Sequence, residues 1–288
     1  MSSVIPLTII SLSVIASIAA VILFFVARKF KVFEDPRIDE VQEILPAANC
    51  GGCGFAGCRN FAEALVKADS FEGLVCPVGG AKIMEEAAAL LGKEAPVVDP
   101  LVAVLLCNGT PEFRPKTSNY TGVYDCRISH NLYAGESDCS YGCLEYADCV
   151  RACAFSALYM DPETRLPVVI DEKCVACGAC VKACPRNIFE LRKKAKKDRK
   201  IYVACSNCDK GGPARRACKV ACIGCGKCVK VCQFDAITLE NNLAYIDATK
   251  CTFCRKCAPE CPTNSILEIN FPPRKQKIEA EPAQTTEN

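Results

Sequence analysis

Two stretches near the C-terminal end leave this chain few ways to fold. Cys222-Ile-Gly-Cys225-Gly-Lys-Cys228-Val-Lys-Val-Cys232 is followed by Cys251-Thr-Phe-Cys254-Arg-Lys-Cys257-Ala-Pro-Glu-Cys261-Pro262. Both runs read C-x2-C-x2-C-x3-C. A four-iron cubane exposes four iron corners, and each needs one thiolate. A tight loop can wrap three closely spaced cysteines around three of those corners. Structural zinc usually takes two short cysteine pairs set a dozen or more residues apart. Three thiols in seven residues plus a fourth, repeated, fit zinc poorly and a cubane well.

The spacing resembles that of bacterial ferredoxins carrying two [4Fe–4S] clusters. In that pattern the fourth cysteine of a run opens a helix and reaches across to the other cluster. The resemblance implies one cubane on Cys222, Cys225, Cys228 and Cys261. Its partner is then held by Cys251, Cys254, Cys257 and Cys232.

The remaining composition agrees with metal thiolates. Twenty-five cysteines in 288 residues are about one residue in twelve. In a short secreted chain that density would mean a disulfide framework. Here the cysteines sit at metal-ligand spacing, and cluster insertion needs reduced thiols, which places the domains on the cytosolic side of a membrane. A net charge of +2 argues for no particular partner. The one basic run, Arg192 to Lys200, has no aromatic interleaving and reads as a solvated linker, so no nucleic-acid binding is expected. His130 is the single histidine and receives no role. No G-x-G-x-x-G stands between a strand and a helix, and no P-loop is present. The chain therefore carries no catalytic residues of its own and no nucleotide or flavin site.

Taken in order, Ile5 to Ala27 is apolar apart from Thr8, Ser11, Ser13 and Ser17, and is uncharged. As a helix it would span ~35 Å at ~1.5 Å per residue, enough for a hydrocarbon core of ~30 Å. Arg28, Lys29 and Lys31 follow, and no Lys or Arg precedes. The positive-inside rule then puts the C-terminal side in the cytoplasm. A cleaved signal peptide would need a basic n-region and a shorter apolar stretch. The expectation is an uncleaved single-pass anchor over residues 1–32.

Residues 33–93 read as a small helical domain. Asp35-Pro36 starts a helix with Ile38, Val41, Ile44 and Leu45 on its apolar face, ended by Pro46. Asn49-Cys50-Gly-Gly-Cys53-Gly-Phe-Ala-Gly-Cys58 and the later Cys76 give C-x2-C-x4-C-x17-C. Cys58 opens a helix containing Phe61, Leu65 and Val66, and Gly80 to Leu91 forms another, stopped by Gly92. Four thiols in one small unit fit one [4Fe–4S] cluster, with zinc as the alternative. Glu94 to Pro100 is a linker.

Beyond the linker the chain repeats. Val102 to Leu106 is strand-like and ends at Cys107, with Cys126 later. Then come Cys139, Cys143, Cys149 and Cys153, and next Cys174, Cys177, Cys180 and Cys184-Pro185. The second copy begins at Ile201-Tyr-Val-Ala-Cys205, continues through Cys208 and Cys218, and contains the two opening runs. Such a repeat implies duplicated modules, placed at residues 101–192 and 201–271. Leu166 to Ile170 and Leu243 to Ile246 lead into a run, and Ile188 to Leu191 and Ile266 to Ile269 lead out, as short strands. The expected class is α+β: an anchor helix, a helical four-cysteine domain and two ferredoxin-like modules. Residues 272–288 read as a disordered tail. In the first copy Cys139-x3-Cys143-x5-Cys149-x3-Cys153 has longer loops, and Ala154 and Gln233 stand where prolines are expected. The crossover pattern of the ferredoxins then implies one cluster on Cys139, Cys143, Cys149 and Cys184, and the next on Cys174, Cys177, Cys180 and Cys153.

A row of such centres is a wire for single electrons. Two further stretches sharpen that reading. Glu34-Asp35-Pro36-Arg37 with Leu45-Pro46-Ala-Ala-Asn49-Cys50-Gly-Gly-Cys53, and Asp138-Cys139-Ser-Tyr-Gly-Cys143-Leu-Glu-Tyr-Ala-Asp148-Cys149, resemble the B subunit of the Rnf complex. So does Val203-Ala-Cys205-Ser-Asn through Asp209-Lys-Gly211. The likeness runs to Phe271. It implies the ferredoxin-side subunit of an ion-translocating ferredoxin:NAD+ oxidoreductase, taking electrons from soluble ferredoxin and passing them to flavin-bearing and NAD-binding subunits. A polyferredoxin serving a membrane hydrogenase or dehydrogenase is the second reading. A redox or iron sensor is the third, but no output module is visible.

The Cys50 group and the four runs use twenty cysteines, which accounts for five clusters. Cys107, Cys126, Cys205, Cys208 and Cys218 remain. Cys208 has no counterpart in the first copy. If the copies pack about a pseudo-two-fold, Cys107, Cys126, Cys205 and Cys218 converge on a sixth cluster. Otherwise they are buried free cysteines or two local pairs.

Overall fold

The computed structural model describes residues 4–29, 35–132 and 135–274. Lys31 and the expected tail from residue 275 onward lie outside the described residues. Helix α1 spans Val4–Lys29, a length of ~39 Å at ~1.5 Å per residue. Its Ile9–Val26 window has mean hydropathy 2.8 and none of it is buried against the rest of the protein. The helix is thus long and apolar enough to cross a membrane. Within it Ser17 Oγ donates to Ser13 O at 2.8 Å, so that hydroxyl needs no water.

Three helices follow: α2 Arg37–Ile44, α3 Cys58–Lys67 and α4 Gly80–Leu91. The Asp35 carboxylate accepts the Arg37 amide at 3.0 Å and supplies a partner that the first turn lacks. Leu45 turns extended ahead of Pro46, whose ring disfavours helix in the residue before it. Ile38, Val41, Phe61, Leu65, Phe71 and Met84 close one core among these helices. Helix α4 stops at Gly92, which takes φ +64°. The next residue does structural duty at a distance. Lys93 Nζ donates to the carbonyls of Leu65, Val66 and Ala68 at 2.7, 3.2 and 2.5 Å, capping the C-terminal end of α3.

Next comes β1 Leu101–Leu105, then α5 Cys126–Leu132, α6 Asp148–Arg151, β2 Leu158–Met160, β3 Pro167–Val169, α7 Ala179–Ala183 and β4 Phe189–Lys193. A second series contains β5 Lys200–Val203, α8 Gly211–Ala217, α9 Lys227–Val231, β6 Ile237–Glu240, β7 Leu243–Ile246 and β8 Ile266–Ile269. In each series the first strand pairs antiparallel with the last, β1 with β4 and β5 with β8. An inner hairpin, β2–β3 or β6–β7, lies between them. Even single hydrogen bonds repeat: Leu106 N donates to Ile188 O and Ala204 N to Ser265 O, each at 2.7 Å. Two-stranded ribbons are marginal alone. These rest on mixed aliphatic and sulfur cores, with Cys143, Cys149 and Cys180 in one and Cys222, Cys228 and Cys257 in the other. The two series meet side by side. Asn108 N donates to Ala204 O at 3.1 Å, Ser206 Oγ donates to Leu106 O at 3.0 Å, and Val104 packs with Tyr202 and Ala204.

Two expectations change. The Arg192–Lys200 stretch is no simple solvated linker. Arg192 lies on β4, is 6% exposed, and stacks over the rings of Tyr202 and Tyr245. Lys200 opens β5 and pairs with Asp171 at 2.5 Å in a largely buried contact. The aliphatic stems and the guanidinium plane give these residues packing value that a charge count misses. The fourth cysteine of a run also closes a helix rather than opening one. Cys184 and Cys232 are the extended residues that end α7 and α9. Cys232 holds ψ 115° before Gln233 just as Cys184 holds 112° before Pro185, so the missing proline has no consequence there.

Replacing Lys93 by Ala removes the shared cap on α3. The full chain should lose about 1–2 kcal/mol of stability in denaturant titrations, whereas Lys82→Ala, on an exposed helix pair, should change it little.

Candidate metal centres

The cluster loops owe their shape to left-handed residues placed just ahead of the short helices. Gly178 and Gly226 take φ +74° and +71° before α7 and α9, which lets the chain reverse and present the third cysteine from the first turn. Ala147 takes φ +63° at the matching point before α6.

The thiols gather in groups of four. Cys222, Cys225, Cys228 and Cys261 line one cavity of about 20 Å³. Cys232, Cys251, Cys254 and Cys257 line a second of the same size, and Cys153, Cys174, Cys177 and Cys180 a third. In the helical unit Cys53, Cys58 and Cys76 border one core. Asn49 Oδ1 accepts the Cys58 amide at 2.9 Å, which folds the Cys50 loop back on α3. Among the described residues no three His, Cys, Asp or Glu side chains come close enough to share a single ion. The thiols stand around a space rather than converge on a point, which suits a polynuclear cluster better than zinc.

Backbone amides point at the sulfurs. Gly79 N donates to Cys76 Sγ at 3.3 Å, Ala157 N to Cys153 Sγ at 3.4 Å and Ser265 N to Cys261 Sγ at 3.3 Å. Such bonds stabilise sulfur-borne negative charge and tune a bound cluster. Burial works the other way. Desolvation, reinforced by neighbouring thiols, pushes Cys149 and Cys257 up to about 12 and Cys180 and Cys228 to about 11. At Cys261 burial also raises the pKa, but the bonds from Thr263 and Ser265 outweigh it and the thiol ends below its ordinary value. Most of these sulfurs thus need a cation beside them before they ionise.

The first module departs from the expected grouping by one exchange. Cys126 does not lie with Cys107, Cys205 and Cys218. It lies beside Cys149, which also adjoins Cys184. Cys139 takes the vacated place: Cys107, Cys139, Cys205 and Cys218 line one cavity of about 20 Å³. Cys208 is outside that lining. The local reason is Asp148, whose carboxylate accepts the amides of Cys126 and Arg127 at 3.0 and 3.3 Å and ties α5 to the cluster loop.

Sequence reasoning passed over several polar residues here. Arg114 is 5% exposed and bonds Gly109 O, Ser137 Oγ and Glu145 Oε1 at 3.2, 2.7 and 2.8 Å. Arg186 donates to Cys139 O and Gly142 O at 3.2 and 2.5 Å. Neither arginine has a local sequence signature. The helical unit also touches the first module: Lys182 Nζ reaches Gly51 O at 3.4 Å, and Cys50 adjoins Cys177.

Many thiols in clustered fours, amides aimed at sulfur and paired ferredoxin-type loops define an iron–sulfur electron carrier. Comparison with known proteins says the same. Residues 45–70 match a family model described as "Putative Fe-S cluster", residues 167–190 a "4Fe-4S binding domain" and residues 221–265 a "4Fe-4S dicluster domain". The B subunit of the Na(+)-translocating ferredoxin:NAD(+) oxidoreductase complex of Acetobacterium woodii is 45% identical over 88% of this chain and 75% of its own length. The B subunit of the proton-translocating complex of Clostridium ljungdahlii is 39% identical over 90% of each chain. The B subunit of the ion-translocating oxidoreductase complex of Methanosarcina acetivorans is 39% identical over 92% of this chain and 99% of its own. The chain belongs to the B-subunit family of the Rnf complex, the ion-translocating ferredoxin:NAD+ oxidoreductase, and is its [4Fe–4S] electron-transfer subunit.

The contact between the helical unit and the first module is testable. A Cβ on Gly52 would lie 2.9 Å from Pro77 Cγ and 3.0 Å from the Cys177 backbone. Gly52→Ala should loosen the contact by about 1–3 kcal/mol. Limited proteolysis in the 94–100 linker should accelerate roughly tenfold or more.

Proposed function

We propose that this chain takes electrons from reduced ferredoxin at its second module and passes them through the first module and the helical unit to the membrane subunits. Bound to the twenty thiols of the Cys50 group and the four runs, at least five [4Fe–4S] clusters supply reversible one-electron transfer at potentials set by hydrogen bonding and exposure. One observation carries the reading: the thiol groups adjoin one another in series. Cys257 and Cys228 share the core of the second module, Cys149 and Cys180 share that of the first, and the Cys50 loop lies against Cys177, whose backbone a Cβ on Gly52 would meet at 3.0 Å.

The direction follows from exposure and connectivity. Of the twenty-five cysteines, all among the described residues, only Cys225 and Cys254 are exposed. The two runs around them expose Lys227, Lys230 and Lys256 against one exposed acid, Glu260, while Arg255 is ion-paired with Glu268. A basic surface at the most accessible thiols favours an acidic ferredoxin. At the other end, only residues 30–34 separate α1 from the helical unit, which keeps the Cys50 site close to the anchor. Arg28 and Lys29 at the end of α1 support a cytoplasmic C-terminal side in a single-pass topology. One helix with no charge in its apolar span cannot line an ion path, so ion movement belongs to other subunits. Flavin-bearing and NAD-binding subunits complete the reaction.

The anaerobically purified chain should be reduced by low-potential ferredoxin and should not bind NAD+ by itself. Tight NAD+ binding to the isolated chain would count heavily against this role. Charge reversal at Lys227 and Lys256 should slow that reduction roughly tenfold at low salt, with the difference fading at high salt. Protease added outside intact cells should spare the cluster domains, and their digestion from outside would sink the topology.

A further inference from the structure

The exchange of Cys126 for Cys139 has a counterpart in the repeat itself. Cys139-x3-Cys143-x5-Cys149-x3-Cys153 and Cys218-x3-Cys222-x5-Cys228-x3-Cys232 have the same spacing throughout. Cys139 is therefore the repeat mate of Cys218, as Cys107 is of Cys205. The four residues around the junction cavity are two matched pairs, one from each copy. In the same alignment Tyr146 stands where the second copy has Cys225. The first copy thus lacks the middle thiol of its run.

Cys126 makes up that loss. The segment that carries it packs on the tyrosine, with Tyr120 and Tyr124 at 6.0 and 5.4 Å from the Tyr146 ring. Asp148 holds the Cys126 amide. Asp148 directly precedes Cys149, so its bond to the Cys126 amide sets Cys126 beside that run. A thiol from an inserted helix therefore reaches the corner that Tyr146 leaves without one.

We propose that Cys107, Cys139, Cys205 and Cys218 bind a [4Fe–4S] cluster at the junction of the two modules, and that Cys126 joins Cys143, Cys149 and Cys184 in the neighbouring site. None of the matched family regions, 45–70, 167–190 and 221–265, contains a cysteine of the junction group. The molecule holds its own standard of comparison. The junction cavity has four lining cysteines and the same volume as the three cavities lined by ferredoxin-run quartets. Its surroundings are those of a cluster site. The Asn207 amide donates to Cys205 Sγ at 3.4 Å, and its side chain, 1% exposed, points Nδ2 at Cys139 Sγ at 3.7 Å. A Cβ on Gly109 would meet Cys218 Sγ at 3.4 Å. Arg186, which bonds the Cys139 and Gly142 carbonyls, places positive charge beside a group that four thiolates would make strongly negative, while nearby Arg114 is ion-paired with Glu145.

The location gives the site its use, which rests on the electron-transfer reading above. Cys143 N donates to Cys107 Sγ at 3.5 Å, so the junction adjoins the first module's run. Cys205 adjoins Cys222 of the second module. The junction site lies where the series of thiol groups passes from one module to the other.

Native mass spectrometry of the anaerobically purified full-length chain should count six clusters, about twenty-four irons. A count of five overturns the junction site, and ferredoxin reduction of such a chain would leave the electron-carrier reading standing. Paired substitutions then separate the groupings. C139A with C218A takes two thiols from one site and should cost one cluster. C126A with C218A takes thiols from two sites and should cost two. The reverse pattern overturns the assignment. Should either variant misfold, the serine pairs C139S with C218S and C126S with C218S, which keep an oxygen ligand at each position, provide a second readout in the anaerobically purified full-length chain. The EPR spectrum of the reduced protein should show one altered cluster in the first pair and two in the second, and the reverse overturns the proposal.

Discussion

A thiol taken out of water resists ionisation, and a nearby thiol that ionises first makes the second harder still. That opposition shapes this molecule, because each module's core includes several such thiols. Cys149, Cys205 and Cys257 are each pushed up to about 12, with burial as the leading cause. A metal centre reverses the balance, since the cation offsets the charge of all its thiolates together. Folding and cluster insertion are therefore coupled. Ribbons of two short strands such as β2–β3 and β6–β7 have too little apolar area to persist unaided, and the sulfur-rich centres they cover supply the missing cohesion. The helical unit is less dependent, because Phe61, Leu65 and Met84 give it an aliphatic and aromatic core of its own.

The duplication is a second organising fact. Both copies pair their first strand with their last and place a hairpin between. The copies then meet along the ends of β1 and β5, where Asn108 and Ser206 exchange hydrogen bonds with Ala204 and Leu106. Two equivalent strand ends brought together about a common line present equivalent residues to each other. That is why the junction gathers matched thiols. Where the first copy diverged, at Tyr146, the loss was met from outside the repeat by α5 and the carboxylate of Asp148.

The proposed electron path and membrane attachment both follow from the order of the parts along the chain. The basic, thiol-exposing loops lie on the copy farthest along the chain from α1, and five residues, 30–34, separate α1 from the helical unit. An entry point remote from the membrane and an exit near it suit a chain that links a soluble carrier to membrane partners. Transport of an ion demands polar groups inside the bilayer, and the apolar span of α1 supplies none that is charged.

Short-range chemistry was legible without coordinates. Cysteines two or three residues apart have one way to share a centre, so the run spacing by itself determined the cluster loops. Pro46 and Gly92 marked where α2 and α4 end, because steric limits on φ and ψ act within a residue or two. The apolar length of α1 was equally plain. What the spacing left open was every choice between thiols far apart in sequence. Cys139 reads as the first thiol of its run and Cys126 as the mate of Cys218, although the spacing shared by 139–153 and 218–232 already matches Cys139 to Cys218. What spacing could not give was the place of Cys126, which Asp148 holds from a distance in sequence, or the reach of the Asn207 side chain to Cys139. Arg192 was misread for a related reason: its charge predicts solvent, whereas the faces of Tyr202 and Tyr245, distant in sequence, make its burial favourable. Local spacing gathers the cysteines into runs, and the packing of the two copies decides which thiols from distant parts of the chain stand side by side.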